Sequence, residues 1–471
     1  MGKKLREGYR VGNWEKSTYA MYFFGQNIIY ALVALNVQSL FSDVGITAAS
    51  VAVILFVTKL WDAVNDPVLG IVIDKVRFKK GRFMPWLRIS LPFIAATSLF
   101  LFALPNGAPL GVKMFWATLG YILWDMSFTL CDVPIYILPT SMTDNVKERS
   151  SILSFGRYIA VVGIMLGGVM LPMMQARLGW FGTGIVFTAI STLFMLPLLF
   201  SAKERHIVRS EEAVTLKQMW SYVAKNKYLL IFYAAMLLSL VTNFAQTLNL
   251  FFARYNLGNQ DLASILGLLT IIPIILVGVF IPAIIRRVDK YYLYFGILAM
   301  AGVLGILRYF IGYGNLAIFM AFAALHGLMS GAAGILVFMF TPDCLEYGTY
   351  HTGERAEGVA VSVQTFFNKL SGSLSGPLAM LIIAMFGFVS GEAASQPDTA
   401  LNGIWLCMTL FPGIGSFLAI FCLRFYKLRE KDVQIMSGYN KHEISKDEAE
   451  SALVDKYGPA AIIAKMTMTH D

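Results

Sequence analysis

The chain contains twelve runs of mostly apolar residues, each long enough for a membrane-spanning helix, which needs about 20 residues. They lie near 17–41, 49–73, 86–104, 112–137, 151–173, 180–200, 228–252, 262–285, 291–312, 315–340, 359–386 and 401–424. Only 14% of the residues are charged, whereas a soluble protein has about 25%. The mean hydropathy is +0.64. These values exclude a water-soluble globule and predict an all-α membrane protein with twelve transmembrane helices.

Basic residues are concentrated in alternate loops between these runs. The loops at 42–48, 105–111, 313–315 and 387–400 contain no Lys or Arg, whereas the loop at 75–82 holds a cluster. Cytoplasmic loops carry the excess of basic residues, so we expect both termini to be cytoplasmic and the chain to lie in the cytoplasmic (inner) membrane. The same loops account for the net charge of +9, so no nucleic-acid partner is expected.

A polar segment divides the twelve runs into two groups of six. The sequence therefore predicts an N-terminal half (1–200), a cytoplasmic central loop (201–227), a C-terminal half (228–430) and a cytoplasmic tail (431–471). Two six-helix halves are typical of transporters that bind their solute near the membrane midplane. We expect the polar tail to be mobile, with a helix around 444–457.

Two carboxylates, Asp62 and Asp66, lie within the second run, where an ionised side chain costs at least about 2.5–3.5 kcal/mol. Their i,i+4 spacing places both on one helix face, beside Asn65, which we expect to take part in coupling. Two like charges in a low dielectric stay ionised together only with a cation between them. Oxygen ligands suit a hard cation. We predict a site for Na⁺, H⁺ or Li⁺ and no other cofactor; the alternatives are a polar contact between helices and a salt bridge to a Lys or Arg elsewhere in the chain.

Further charges lie in the fourth and fifth runs. Asp132 follows Asp125 by seven residues, which is about two helical turns, so the two carboxylates share roughly one face. Arg157 is the expected positive partner, because its planar guanidinium can hold a carboxylate or sugar hydroxyls with two hydrogen bonds. The alternative for Arg157 is a side chain that reaches the membrane interface.

Neutral polar and aromatic side chains accompany these charges. Sugars present hydroxyls to carboxylates and amides, and C–H faces to aromatic rings, and a binding pocket supplies both kinds of group. We therefore predict a sugar or glycoside site that also includes Gln26, Asn27, Phe128 and Tyr136.

In the second half, Lys369 is a cation deep within an apolar stretch, VSVQTFFNKLSGSLSG. We expect it to balance the carboxylates of the first half when the coupling ion is absent. Gln364 and Thr365 precede it by about one helical turn and are candidate sugar ligands.

Charged residues of the cytoplasmic loops are candidate gates. We expect Asp74 and Arg82 to pair with Arg149 or with the region of Glu346 and Glu357. Ordinary positive-inside topology explains the same charges, so both interpretations stay open.

Several motifs resemble one known family. The segment GIVIDKVRFKKGR is similar to the loop signature of the major facilitator superfamily. More specific are WDAVNDPVLG, YILWDMSFTLCDVP and DCLEYGTYHTGERAEGVAVSVQTFFNK. Together they resemble the glycoside–pentoside–hexuronide:cation symporters over most of 17–425, and the resemblance implies the major facilitator fold of two six-helix halves and cation-coupled sugar transport.

The resemblance also implies roles for single positions. These are a cation site at Asp62, Asp66 and Thr129, a link between cation and sugar at Asp132, sugar binding at Arg157 and cation coupling at Lys369. There are departures from the family, because some members carry a Lys-Asp pair in place of Gln26 and Asn27, a Trp in place of Tyr136 and a Tyr in place of Phe128. These differences alter the hydrogen-bonding side of the pocket and therefore the expected sugar.

The sequence thus predicts a cation:sugar symporter that works by alternating access, with a small-molecule sugar or glycoside and the membrane lipid as its partners. The sequence does not determine whether the chain has protein partners. Two alternatives stay open: a cation-coupled transporter of another solute, such as a lysolipid or an organic anion, and a membrane enzyme. Against the enzyme, the sequence has no nucleophile–His pair, no HExxH motif and no phosphate-binding loop.

Overall fold

The computed structural model describes residues 11–76, 78, 81–205, 222–285, 287–353, 356–391 and 395–461. Its elements in this part of the chain are helices, and the β-type contact it contains is an isolated bridge between Phe78 and Gly81. Helices suit lipid because they satisfy every backbone hydrogen bond within one segment. The predicted all-α class is confirmed.

The helices up to residue 201 contain the first six predicted runs. Their bounds are α1 Asn13–Val33, α2 Val37–Asp43, α3 Ala48–Lys75, α4 Met84–Phe102, α5 Leu110–Met142, α6 Val146–Met195 and α7 Leu198–Ser201. The long α6 covers two predicted runs, and Gly179 breaks it with a φ of 65°. Glycine adopts this left-handed conformation without a steric penalty, so the turn between the two runs is built from a single residue.

The helices from residue 227 onward contain the other six runs and the tail. Their bounds are α8 Lys227–Val241, α9 Ala245–Phe251, a π-helix Phe252–Asn256, α10 Leu262–Ile284, α11 Lys290–Ile311, α12 Leu316–Val337, α13 Phe340–Thr352, α14 Glu357–Met385, α15 Asp398–Met408, α16 Leu410–Leu423, α17 Glu430–Asn440 and α18 Lys446–Tyr457.

All twelve predicted runs lie in helices. Within the described ranges, seven segments are long and apolar enough to cross a membrane, judged by length and composition: Asn13–Asp43, Met84–Phe102, Leu110–Met142, Lys147–Ser201, Lys290–Ile311, Leu316–Thr352 and Asp398–Leu423. The remaining runs fall on α3, α8 with α9, α10 and α14. Large apolar side chains such as Phe200, Phe310 and Met385 are about 80% exposed, as suits a surface that faces lipid.

The first compact unit consists of Met1–Glu211, Ala245–Leu268 and Gly376–Trp405. In it α1 packs along α6. A Cβ on Gly25 would lie 2.5 Å from the carbonyl oxygen of Ser191, and one on Gly163 would lie 2.7 Å from that of Phe24. Glycine is therefore required where the two backbones approach, as in other helix contacts within membranes.

The second compact unit consists of Glu212–Phe244, Leu269–Ser375 and Leu406–Asp471. Its core is aromatic: the ring of Phe232 stacks on that of Phe340 at 4.7 Å, and Tyr233 stacks on Phe367 at 4.7 Å. Such pairs add about 0.5–1.5 kcal/mol to the effect of burial. The two units group residues by contact, whereas the predicted halves follow chain order, so the halves stay a prediction.

The tail packs on the second unit. The carboxylate of Asp432 on α17 accepts hydrogen bonds from the Tyr457 hydroxyl at 2.7 Å and from Lys456 Nζ at 3.0 Å, both on α18. The Ala461 backbone N–H then donates to the Tyr350 carbonyl at 2.9 Å. The helix expected around 444–457 is confirmed. The tail up to residue 461 is packed, in contrast to the expected mobility, because apolar residues such as Leu453 are buried on one face.

Candidate functional site

The first predicted cation ligands lie on α3, within the first unit. Asp62 is half-buried, and its Oδ2 lies 3.8 Å from Nζ of Lys59, one helical turn earlier. Asp66 continues the same helix, but its side chain lies outside the described part of the structure. Sequence reasoning missed Lys59, although a lysine three residues before an aspartate within an apolar run was a usable signal.

Asn65 connects α3 to α5. Its side-chain amide donates to Oδ2 of Asp125 at 3.3 Å and to Oγ1 of Thr129 at 3.2 Å. All three side chains are buried, with relative exposures of 3%, 6% and 5%. An amide, a carboxylate and a hydroxyl thus meet at one point inside the helical bundle. Asp125 was placed on this helix face by its spacing but was assigned no role.

Lys59 supplies the positive charge of this region. Its ammonium group interacts electrostatically with Asp125 as well as with Asp62, and it lies 5.8 Å from the ring centroid of Tyr121. Because side chains in lipid are weakly screened, one ammonium between two carboxylates offsets about one of their two charges. The described part of the site therefore has a net negative charge.

Asp132 lies two turns further along α5 and has a different partner. Its Oδ1 accepts a hydrogen bond from Nε2 of Gln26 on α1 at 2.8 Å. The Oε1 atom of Gln26 is buried and has no hydrogen-bond partner among the described residues. A buried carbonyl without a donor costs about 1–3 kcal/mol, so this oxygen is suited to a donor from a ligand or a water molecule.

Arg157 lies on α6, beside the ring of Tyr136. Its guanidinium carbon is 5.5 Å from the ring centroid of Tyr136, and the side chain is exposed. Tyr136 is itself held edge-on by Phe23, with the ring centroids 5.1 Å apart. The structure therefore brings the predicted sugar residues Arg157 and Tyr136 together and leaves the guanidinium accessible.

Phe128 and Asn27 differ in what they offer to a ligand. Phe128 lies between two rings, 5.2 Å from Trp124 and 5.4 Å from Tyr30. It is half-buried and presents an apolar surface. The amide of Asn27 donates to the carbonyl of Phe23 in its own helix at 2.8 Å, so that donor is used locally.

The predicted residues of the second half lie on α14, in the second unit. Lys369 and Thr365 are exposed, and both have further interactions within the chain. Gln364 is buried, and its Nε2 has no partner among the described side chains and backbone. These residues share one helix, and their union with the carboxylates of the first unit in one site stays a prediction.

The predicted gates are only partly described. The backbone N–H of Arg82 donates to Oε2 of Glu204 at 2.8 Å, and the carboxylate of Glu346 accepts from the amide of Asn440 in the tail at 2.7 Å. Arg149 is half-buried on α6. The side chains of Asp74 and Glu357 lie outside the described residues. The predicted pairing of these charges stays untested.

A second polar cluster, which sequence reasoning missed, surrounds Asp43 in the first unit. The Asp43 carboxylate contacts the Arg254 guanidinium and accepts a hydrogen bond from Nε1 of Trp180 at 2.8 Å. Arg254 also donates to Gln260 at 3.0 Å and to Gln175 at 3.3 Å. Burial lowers the pKa of Arg254, but Asp43 more than restores it, so the pKa lies above its ordinary value. Opposite charges in two loops with few other charged residues were the available signal.

The arrangement combines three features that transport of a polar solute requires. Carboxylates, an amide and a hydroxyl supply oxygen ligands for a small cation. The pair of Asp132 and Gln26, together with Arg157, can exchange hydrogen bonds with hydroxyl groups. Aromatic rings supply apolar faces. No part of this arrangement provides an activated nucleophile with a neighbouring base among the described residues.

Comparison with known proteins gives one consistent result. Residues 18–430 match the family described as MFS/sugar transport protein. The chain is similar to the uncharacterized symporter YnaJ of Bacillus subtilis (strain 168), with 28% identity over 91% of this chain and 94% of that protein. It is also similar to the isoprimeverose transporter of Lactiplantibacillus pentosus, with 26% identity over 94% and 93% of the two chains.

A solved structure shares the fold. The crystal structure of the nucleoside transporter NupG aligns with a TM-score of 0.63 and 17% identity, covering 88% of this chain and all of that one. At this identity the likeness concerns the fold alone. Together with the family match, it confirms the predicted all-α major facilitator fold.

Proposed function

Since the chain belongs to the MFS/sugar transport protein family and is a multi-pass, cation-coupled sugar symporter of its glycoside–pentoside–hexuronide branch, we propose that Asp62, Asp66, Thr129 and Asp132 bind the coupling cation. It is not an enzyme. The observation that carries the proposal is the amide of Asn65, which bridges α3 and α5 at 3.2 and 3.3 Å. Through it, a cation bound beside Asp62 acts on the helix that carries Asp132.

The sugar site is proposed beside the cation site. Asp132 and Gln26 exchange hydrogen bonds with sugar hydroxyls, and the exposed guanidinium of Arg157 holds two more oxygens. The rings of Phe128 and Tyr136 cover the C–H face of the sugar. Asn27 completes the polar lining in the first unit, and Gln364 and Thr365 are kept as sugar ligands on the ground of the sequence alone.

Coupling follows from the charges. Without a cation, the carboxylates repel one another, and Lys59 offsets this repulsion only in part. Lys369 is kept as a coupling residue on the ground of the sequence alone. A bound cation lowers the repulsion and orders Asp132 for the sugar. Because Asp132 serves both ligands, each must raise the affinity for the other by the same factor.

The transport cycle is proposed to be alternating access in the cytoplasmic membrane, with both termini inside. The alternation of basic loops supports this orientation. Asp74, Arg82, Arg149, Glu346 and Glu357 are candidate gate residues at the cytoplasmic ends. The substrate class is a sugar or glycoside, and isoprimeverose is the first choice for a test, because a relative is named for its transport.

The test is uphill uptake into proteoliposomes that contain the full chain. Labelled isoprimeverose and a panel of other glycosides are offered under a Na⁺ gradient, a Li⁺ gradient or a pH gradient. We expect the wild type to accumulate unmodified sugar. Asp62→Asn should lose this uphill accumulation but should still exchange internal for external sugar. The matched control is Asp447→Asn, an exposed carboxylate of the tail, which should behave as wild type. Gradient-driven accumulation by Asp62→Asn would refute the cation site.

A further inference from the structure

Asp125 is a buried carboxylate that the cation site proposed above does not use. It is only 6% exposed and lies in the middle of α5, within a segment that spans the membrane. A carboxylate at such a position is costly to insert into a membrane and as a rule has a functional role. Its partners therefore indicate what it does.

The geometry around Asp125 matches that of a small cation site. Its Oδ2 and Oγ1 of Thr129 both accept hydrogen bonds from the same amide group of Asn65, at 3.3 and 3.2 Å. A donor that serves two oxygens at once occupies the place that a cation would take. Rotation of the amide turns the Asn65 carbonyl toward the same point, so that three oxygen-bearing side chains surround it.

The positions of the two carboxylates along α5 place Asp125 closer than Asp132 to the amide of Asn65. Thr129 lies one turn after Asp125, and its hydroxyl is held on the side of Asn65. Asp132 is two turns beyond Asp125, about 10 Å along the helix axis, and its Oδ1 is bound to Gln26 on α1. Of the two carboxylates of α5, Asp125 is therefore the one that shares a hydrogen-bond donor with Thr129.

The charge balance points the same way. Lys59 interacts with both Asp62 and Asp125, so one positive charge faces two negative charges among the described side chains. Asp125 therefore adds a negative charge to a group that already contains the proposed ligands Asp62 and Asp66, and a further negative charge strengthens the attraction for a cation.

We propose that Asp125 is a direct ligand of the coupling cation, together with Asn65 and Thr129, and that its charge sets the affinity for a monovalent cation. This inference rests on the proposed function, because it adds a ligand to the same cation site. It adds Asp125 to the cation ligands, while Asp132 keeps its proposed contacts with both the cation and the sugar.

The test measures cation binding without sugar. Purified full-length protein is titrated with NaCl, with LiCl and with protons, while choline chloride keeps the ionic strength constant. Thermal unfolding reports binding, because a ligand of the native state raises the midpoint of unfolding. The variants are Asp125→Asn, Asp125→Glu and Asp62→Asn, with Asp447→Asn as the exposed control.

We expect Asp125→Asn to weaken the response to the preferred cation at least tenfold, and Asp125→Glu to restore part of it. Unfolding in choline alone shows whether each variant is folded. A wild-type cation response in Asp125→Asn, with a lost response in Asp62→Asn, would overturn this inference and leave the proposed function standing. If Asp62→Asn also responds as wild type, or if wild type responds to none of the three cations, the proposed cation site fails as well.

Discussion

Asp43 lies against Arg254, although 211 residues separate them in the chain. Their side chains are only 3% and 14% exposed. Trp180 donates to the second oxygen of the carboxylate, and Gln175 and Gln260 accept from the guanidinium. The ion pair is therefore buried and its remaining hydrogen bonds are satisfied, which is the condition under which such a pair holds two segments of a chain together.

Removing one member of this pair should destabilise the first unit strongly. Asp43→Asn leaves the Arg254 charge buried without its partner, and such a loss costs about 3–5 kcal/mol. Arg254→Gln should cost a similar amount. Thermal unfolding of purified protein measures both variants, and the double variant should be more stable than the sum of the two single losses predicts.

Substitutions at exposed positions of the same unit provide the controls for Asp43→Asn and Arg254→Gln. Asp261→Asn and Arg177→Gln change the same groups at exposed positions, and each should alter stability by less than about 0.5 kcal/mol. Additive effects of Asp43→Asn and Arg254→Gln would contradict the proposed coupling between the two side chains.

Much of the fold could be predicted from the sequence, because lipid imposes a simple rule on composition. All twelve apolar runs became helices, and even the break between the fifth and sixth runs has a local cause in Gly179. The breaks within runs were not predictable in the same way. The seventh run, for example, is followed by a π-helix at Phe252–Asn256, where the Asn256 side-chain amide donates to the carbonyl of Leu401, which is 145 positions away in the sequence.

The candidate site was only half predictable. Asp62 and Asp132 are conspicuous, since a charge in an apolar run needs a reason. The contact of Asn65 with Asp125 depends on how α3 is rotated against α5, and no local pattern encodes that rotation. The same holds for Gln26, whose partner Asp132 lies 106 positions away.

The docked tail depends on a hydrogen bond of Tyr457. Its hydroxyl donates to the Asp432 carboxylate at 2.7 Å, so Tyr457→Phe should weaken the docking of α18 by about 1–2 kcal/mol. Amide hydrogen exchange should then rise in residues 446–457 and stay unchanged in α1. Tyr292→Phe, at an exposed tyrosine of the same unit, is the control; equal exchange in both variants would contradict the prediction.

The same hydrogen bond predicts a pH dependence. Burial, and then the hydrogen bond to Asp432, raises the pKa of Tyr457 above its ordinary value, which is about 10. A group whose pKa is raised by folding contributes stability that is complete below its unfolded pKa and is lost above it. Protection of α18 should thus be constant up to about pH 10 and decline at higher pH, whereas in Tyr457→Phe this decline should be absent.

Gln26 should affect the sugar more strongly than the cation. Gln26→Ala removes the donor that orients the Asp132 carboxylate at 2.8 Å, and an acceptor left without its donor costs about 1–3 kcal/mol. We expect sugar affinity to fall about tenfold, which corresponds to about 1.4 kcal/mol, and the cation midpoint to shift by less, because Asp62, Asp66 and Thr129 also hold the cation. Isothermal titration with the transported sugar measures the first quantity and a cation titration measures the second. The control is Gln434→Ala, at an exposed position of the tail, which should change neither the sugar affinity nor the cation midpoint. An unaltered sugar affinity in Gln26→Ala would show that Gln26 is not part of the sugar site.

Lys59 should act in the opposite direction to the carboxylates. Its ammonium group lies 3.8 Å from Asp62, so it competes with the coupling cation for the same negative charge. Lys59→Gln removes the competitor, and the cation should bind more tightly, by about tenfold after allowance for partial exposure of both groups. Tighter binding slows release of the cation, so gradient-driven uptake should become slower even though affinity rises.

Two measurements on the same preparation test the Lys59→Gln prediction: a cation titration gives the affinity, and the initial rate of uptake gives the speed of transport. Lys446→Gln in the tail is the control. Weaker cation binding in Lys59→Gln would mean that the ammonium orients Asp62 for the cation and does not compete with it.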